Sequence, residues 1–331
     1  MLAPVEAAST APPPSGAQAV RARTRRLGDR IGDLFLHGAA GAAAVGSIAL
    51  VGLIVYKIVE LAWPSITKYG IAFVWHETWD PIHTVFGALD FIFGTLYTSF
   101  FALLIAAPVS IAIGLYLSEL APRAVRGVVG TLVEMLAAVP SVVIGLWGIL
   151  VLGPVVQHQI GPALQSVLGW TPFFKGSPAD VGQISAVLVL AIMIIPITSS
   201  ISRELFLAVP RDLKEAAFGL GLTRWEMVRG VMLPYTRSGV LAAVILGLGR
   251  ALGEAIAVTQ VIGNRPGTNW SLFGTGDTLA SRLANTFYGA TTNIEKASLA
   301  YLAGVLLVIT LVTNIVALIL VHRFDPLRER K

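Results

Sequence analysis

Residues 215–234 read EAAFGLGLTRWEMVRGVMLP, a polar island between two long apolar runs. Just ahead of it, Pro210 and Asp212 supply a helix start, with proline near the first turn and an acid at the positive end of the helix, and residues 213–218 are good helix formers. Gly219 and Gly221 then stop it. The result is a helix of roughly two or three turns, too short to stand alone in water, so it must dock on something. Arg211, Lys214 and Glu215 surround the small surface of Ala216 and Ala217. The sequence therefore predicts a helix that another protein can approach closely while charges at its rim fix the register.

The runs on either side decide what kind of protein carries such an island. The chain has 331 residues, 55% of them hydrophobic and 13% charged, with a mean hydropathy of +0.75. That balance belongs to a polytopic membrane protein. Six stretches, near 38–61, 92–118, 128–153, 184–206, 238–262 and 298–321, are long and apolar enough to cross about 30 Å of hydrocarbon. All six are expected to be helical, because an open-ended segment in lipid has no other way to satisfy its backbone. The fold class is thus all-α. The order along the chain is a basic disordered leader at 1–30, a six-helix domain at 31–325 with the island in a loop at 206–236, and a short tail at 326–331.

The net charge of +5 raises the question of nucleic acid, but the placement of the charges excludes it. With the N-terminus inside, 17 of the 24 Lys and Arg residues fall on the inner side, in the leader, at Arg123 and Arg126, around the island and in the tail, and six fall outside. The positive-inside rule then puts both termini in the cytoplasm. The Arg-rich segment of the leader is read as holding the first span against anionic lipid. There is no cysteine, so no thiol chemistry is available, and the five histidines lie in no two-histidine metal spacing with a carboxylate.

Along the chain, Gly38 to Gly46 is almost all Ala and Gly, which favours close packing against a neighbouring helix. The external segment 62–90 carries Trp63, Tyr69, Phe73, Trp75 and Trp79, either an interfacial aromatic belt or a docking surface for an external protein. Pro108 in the second span and Pro140 in the third can kink or break them. Glu134 is read as snorkelling from the inner end of the third span. In the fourth span Ser199 and Ser200 share a face with Arg203, and the three either meet an anion leaving inward or bond their own helix.

Inside the fifth span Arg250 and Glu254 interrupt an apolar run. Each costs about 2.5–3.5 kcal/mol on insertion scales if it faces lipid, so both must face protein or water. At i and i+4 they share a face and can pair, and Gly249 and Gly253 beside them form a GxxxG surface for a tight helix crossing.

The pattern Glu215-Ala216-Ala217, Gly221, Leu233-Pro234 resembles the cytoplasmic EAA loop of ABC importer permeases, with Val231 where that family more often has isoleucine. The run 247–264 (GLGRALGEAIAVTQVIGN), the loop continuing to Gly239, residues 140–148, and Trp79-Asp80-Pro81 with 86–89 look more narrowly like the PstC-type permeases of bacterial phosphate importers. Similarity covers about 30–325. The resemblance implies a type I ABC importer permease (MetI-like) fold in the plasma membrane and, as partners, a second, PstA-like permease, an ATPase dimer docked at the EAA loop, and an external phosphate-binding protein. It implies that no cofactor is bound by this chain, ATP and Mg being held by the ATPase. The chemistry fits phosphate: the Arg250 fork matches its oxygens, and the Glu254 carboxylate either accepts a hydrogen bond from hydrogen phosphate or holds Arg250 in place.

Four other readings have less behind them. The chain has no GxxxxGK[ST] phosphate loop, so it is not itself the ATPase. A permease for sulfate, molybdate or another oxyanion would share the loop, whereas a gradient-driven transporter would not need it. One Arg and one Glu without a nucleophile or metal cluster do not make an active site.

Overall fold

A computed structural model describes residues 16–323, which contain ten helices besides three short 3-10 turns and a hairpin of two two-residue strands. Residues 1–15 and 324–331, with all of the expected tail and half of the leader, lie outside the described residues. Six helices are long and apolar enough to cross a membrane. The contacts divide the chain into two units meeting at Lys57 and Ile58.

The first unit is helical from Gly16 onward, so the second half of the leader, expected to be disordered, continues α1 (Gly16–Tyr69). Once the apolar run has nucleated the helix, extending it through Ala, Arg and Leu costs only propagation. Gly38, Gly41 and Gly46 have nothing within 4 Å of where a Cβ would stand, so the close packing expected of them is not supplied within this unit.

The second unit holds the end of α1 and everything after it. A hairpin of β1 (Trp79–Asp80) and β2 (Val85–Phe86) leads into α2 (Leu89–Leu120). Then come α3 (Arg123–Ala137), α4 (Ser141–Leu168), α5 (Gln183–Leu207), α6 (Arg211–Gly219), α7 (Arg224–Gly253), α8 (Ile256–Val261), α9 (Leu279–Thr286) and α10 (Asn293–Arg323). The most enclosed of the six spans is α5. Its neighbour α2 presents Thr98, Ala102, Ala106, Ser110 and Gly114, all buried at a spacing of four, and a Cβ on Gly114 would stand 3.1 Å from the Arg203 amide. Small residues at that interval let two backbones approach without a steric cost.

Two of the expected spans are corrected. The third does not run over 128–153: Pro122 and Pro140, both extended in ψ, cut out α3 as a separate helix, and the span itself is α4. A residue before proline is pushed out of the helical region, and proline cannot donate backward. Pro108 by contrast sits inside an unbroken helix. The fifth does not run unbroken to 262 but ends at Gly253, with Glu254 extended at ψ 116° before α8 begins.

Prolines also account for the wide turns. Ala121, Gly153, Gly161 and Leu233 each donate to the carbonyl five residues back, and each stands directly before a proline. The bond that the proline cannot make loosens the turn ahead of it.

The aromatics of segment 62–90 divide. Phe73 is fully buried and stacks on Tyr301 at 4.3 Å, and Trp79 lies edge-on to Phe86 and Phe91, whereas Trp63 and Trp75 are exposed.

Candidate functional site

The island forms as its residues require. Helix α6 ends in a left-handed Gly221 (φ 81°), with the Gly221 amide donating to Phe218 O at 2.9 Å and the Leu222 amide to Ala217 O at 3.2 Å. This pair of bonds is a Schellman motif, which needs a residue without a Cβ at the turn. Thr223 then starts α7 with a capping box: its hydroxyl accepts from the Glu226 amide, and the Glu226 carboxylate accepts from the Thr223 amide at 2.8 Å.

The two faces of α6 differ from the expected rim. Arg211, Glu215 and Ala216 are exposed, together with Phe218 and Leu220. Lys214 and Ala217 point the other way. Ala217 is buried among Phe206, Val209, Met227, Val228 and Met232. The Lys214 ammonium donates to Glu119 Oε1 at 2.5 Å and to Phe206 O at 3.2 Å. Spacing alone marked the residues of this helix without saying which faced inward. Beside it, Leu115, Glu119, Phe218, Arg224, Trp225 and Met227 line a cavity of about 390 Å³.

Arg250 and Glu254 do not pair. The helix unwinds between them, because Gly253 is a weak helix former and the Glu254 carboxylate accepts from the Ala257 amide at 3.3 Å, drawing the backbone out of register. Arg250 is exposed on the single chain and, among the described residues, makes no ion pair or hydrogen bond. Gly249 and Gly253 do not form the crossing either: a Cβ on Gly249 would stand 3.9 Å from Asn314, and one on Gly253 would meet nothing. The close approach is at Gly247, where a Cβ would stand 2.7 Å from Ile194 and 2.8 Å from Thr198, and at Gly239 against Leu205. The short α8 is carried on α4, where Gly145 and Gly148 admit its backbone and Val261.

Ser199, Ser200 and Arg203 do come together, in a narrow cleft with Glu134, Gly130, Val133 and Leu117. Neither Arg250 nor Glu254 lines it. The hydroxyls donate to their own helix, Ser199 to Pro196 O and Ser200 to Ile197 O, and Arg203 lies 3.6 Å from Glu134 of α3. Glu134 is thus exposed and also a partner for Arg203.

Sequence reasoning passed over a second charged group, outside the spans. Asp277, 2% exposed, lies 3.6 Å from Arg282, whose guanidinium stands over Trp79 at 5.2 Å and Phe91 at 5.4 Å. Burial pushes the Asp277 carboxyl up to about 6 against the opposing pull of Arg282. An acid five residues before an arginine is too common a pattern to have marked it.

Residues 110–330 match the family described as binding-protein-dependent transport system inner membrane component. The chain is 41% identical over 315 residues to the phosphate transport system permease protein PstC of Pasteurella multocida, covering 94% of this chain and 98% of that one. It is 44% identical over 260 residues to PstC of Xylella fastidiosa (77% and 80%) and 39% identical over 288 residues to PstC 1 of Mycobacterium tuberculosis (85% of each). Among solved structures, a chain of a bacterial alginate ABC transporter in complex with an alginate-bound periplasmic protein aligns over 89% of this chain and 98% of its own, at 18% identity and a TM-score of 0.56. At that identity the likeness is one of fold, a type I importer permease.

Proposed function

This chain belongs to the inner-membrane components of binding-protein-dependent transport systems and within them to the PstC phosphate permeases, and from that premise we propose how it works. It is a multi-pass permease subunit of a phosphate ABC importer in the inner membrane. The observation that carries this is full-length similarity to PstC, which reaches past the loop that importers in general share and includes the run around Arg250.

In our reading a PstA-like permease completes the path, an ATPase dimer docks on the exposed face of α6 through Arg211, Glu215 and Ala216, and an external phosphate-binding protein delivers substrate. ATP and Mg belong to the ATPase, and this chain binds no cofactor. Both termini are cytoplasmic, as the distribution of basic residues argues, and the basic leader meets anionic lipid.

Arg250 is the residue we assign to the anion. It is a guanidinium in the last turn of α7, just before the break at Glu254 and unpaired among the described residues, and its planar donors match two phosphate oxygens. The unwound segment at Glu254 places a carboxylate four residues on, where it accepts a hydrogen bond donated by the protonated oxygen of hydrogen phosphate, a group that fully ionised sulfate lacks. Arg203, held beside Glu134, is a second station nearer the cytoplasm, with Ser199 and Ser200 shaping its cleft.

The test is uptake by the assembled complex in proteoliposomes. ATP-dependent accumulation of phosphate with no comparable accumulation of sulfate is expected. Equal uptake of sulfate would assign a different oxyanion, and uptake driven by an ion gradient without ATP would overturn the importer reading.

A further inference from the structure

Lys214, one residue before the Glu-Ala-Ala run, does not face outward with its neighbours. We infer that Lys214 and Glu119 form an internal strut that converts displacement of α6 into displacement of the inner ends of α2 and α5. The inference rests on the reading of α6 as the ATPase dock.

The geometry assigns the two faces of α6 different work. Arg211, Glu215 and Ala216 are open to a partner. From the opposite face Lys214 reaches two other helices at once. It bonds Glu119 in the widened last turn of α2, and it bonds the carbonyl of Phe206, one residue before α5 ends. The Lys214 and Glu119 side chains are 15% and 20% exposed, so little water competes for the bond.

An apolar contact such as that of Ala217 lets surfaces slide. A short charge-assisted bond at a fixed point resists both approach and withdrawal, and its geometry is lost within an ångström or so. Beyond the strut, α2 and α5 are fitted along the seam of Ala102, Ala106, Ser110 and Gly114, and Ser110 also donates to Ile195 O at 3.3 Å. A shift at the inner end of either helix is therefore carried by both. Arg203 lies on the moved segment, since the seam at Gly114 touches its amide.

Lys214 is thus a positioning residue for transport and makes no contact with the ATPase. Removing one partner strands a largely buried charge, which by itself lowers the amount of folded protein. The decisive variants therefore keep the charge balanced: Lys214→Gln with Glu119→Gln, and the exchange Lys214→Glu with Glu119→Lys. Each is assembled with the full importer, and three quantities are read: ATPase retained on purification, ATP hydrolysed, and phosphate moved per ATP.

The doubly neutral variant should retain the ATPase and hydrolyse ATP while phosphate moved per ATP falls about fivefold or more, the size expected for a contacting pair. The exchanged pair should recover part of that ratio, and only part, because glutamate cannot donate to Phe206 O. An unchanged ratio in the doubly neutral variant would overturn the strut. So would loss of the ATPase from it, since Lys214 would then be a docking residue, and so would an exchanged pair no better than the neutral one. Glu215→Lys, on the outward face, separates this from the parent reading. If Glu215→Lys still retains the ATPase and transports, the dock itself is wrong, whereas if it loses the ATPase while the Lys214 and Glu119 variants stay coupled, only the strut is wrong.

Discussion

Asp277 is a buried carboxyl 3.6 Å from the Arg282 guanidinium. Because burial raises its folded pKa to about 6, the native state keeps a proton that the unfolded chain has lost above about pH 4. Its contribution to stability is therefore complete below about pH 4 and disappears as pH rises through 6. Asp277→Asn should flatten the part of the stability profile between about pH 4 and pH 6, read as apparent melting temperature in detergent across that range. A slope as steep as that of the unmodified protein would show that Asp277 does not titrate there. At this scale the sequence was legible for residue type and not for partnership. Arg250 and Glu254 stand out in any apolar run, yet their separation depends on the bond from Glu254 to the Ala257 amide, which competes with the helix and has no periodic signature.

Elements were legible wherever apolar length decides, as in α2, α5 and α10. They were misread where a proline or a local hydrogen bond cuts a continuous apolar run. Hydropathy joins α3 to the start of α4 because both are apolar; Pro140 separates them. The half-helix α8 is held in place by α4 at Gly145, where a Cβ would stand 2.8 Å from Ala257 Cα and 2.9 Å from Gln260. Backbone at that distance cannot yield as a side-chain tip can. Gly145→Ala should cost about 1–3 kcal/mol by overpacking and depress uptake by displacing the Glu254 break. Gly127→Ala, on α3 with nothing within 4 Å, should instead be neutral or stabilise by up to about 1 kcal/mol. Thermal shifts of the two variants measured side by side decide the matter, and similar losses in both would contradict the packing account.

For the whole molecule, six spans and a short helix between two of them were readable from composition and one motif, because the hydrophobic length rule and the signals that start and stop a short helix are local properties. The internal wiring was not, since Lys214 with Glu119 and Arg203 with Glu134 join residues 95 and 69 positions apart. The open guanidinium of Arg250 fits a chain that supplies one wall of a path completed by another subunit. Removing that guanidinium should leave insertion intact, since alanine is better tolerated at bilayer depth. It should abolish most transport: a hydrogen bond to a charged group contributes about 1.5–3 kcal/mol, which amounts to a loss of about ten- to a hundredfold in rate for a contact that replaces phosphate's water. Arg250→Lys should recover only part, because a point charge cannot hold two oxygens in one plane. The direct measurement is ATP-driven phosphate uptake by the intact importer carrying Arg250→Ala, at matched amounts of assembled complex. Uptake reduced by one to two orders of magnitude, about what that lost contact implies, is the predicted result, and uptake at the unmodified rate would contradict the assignment of the phosphate path to this residue.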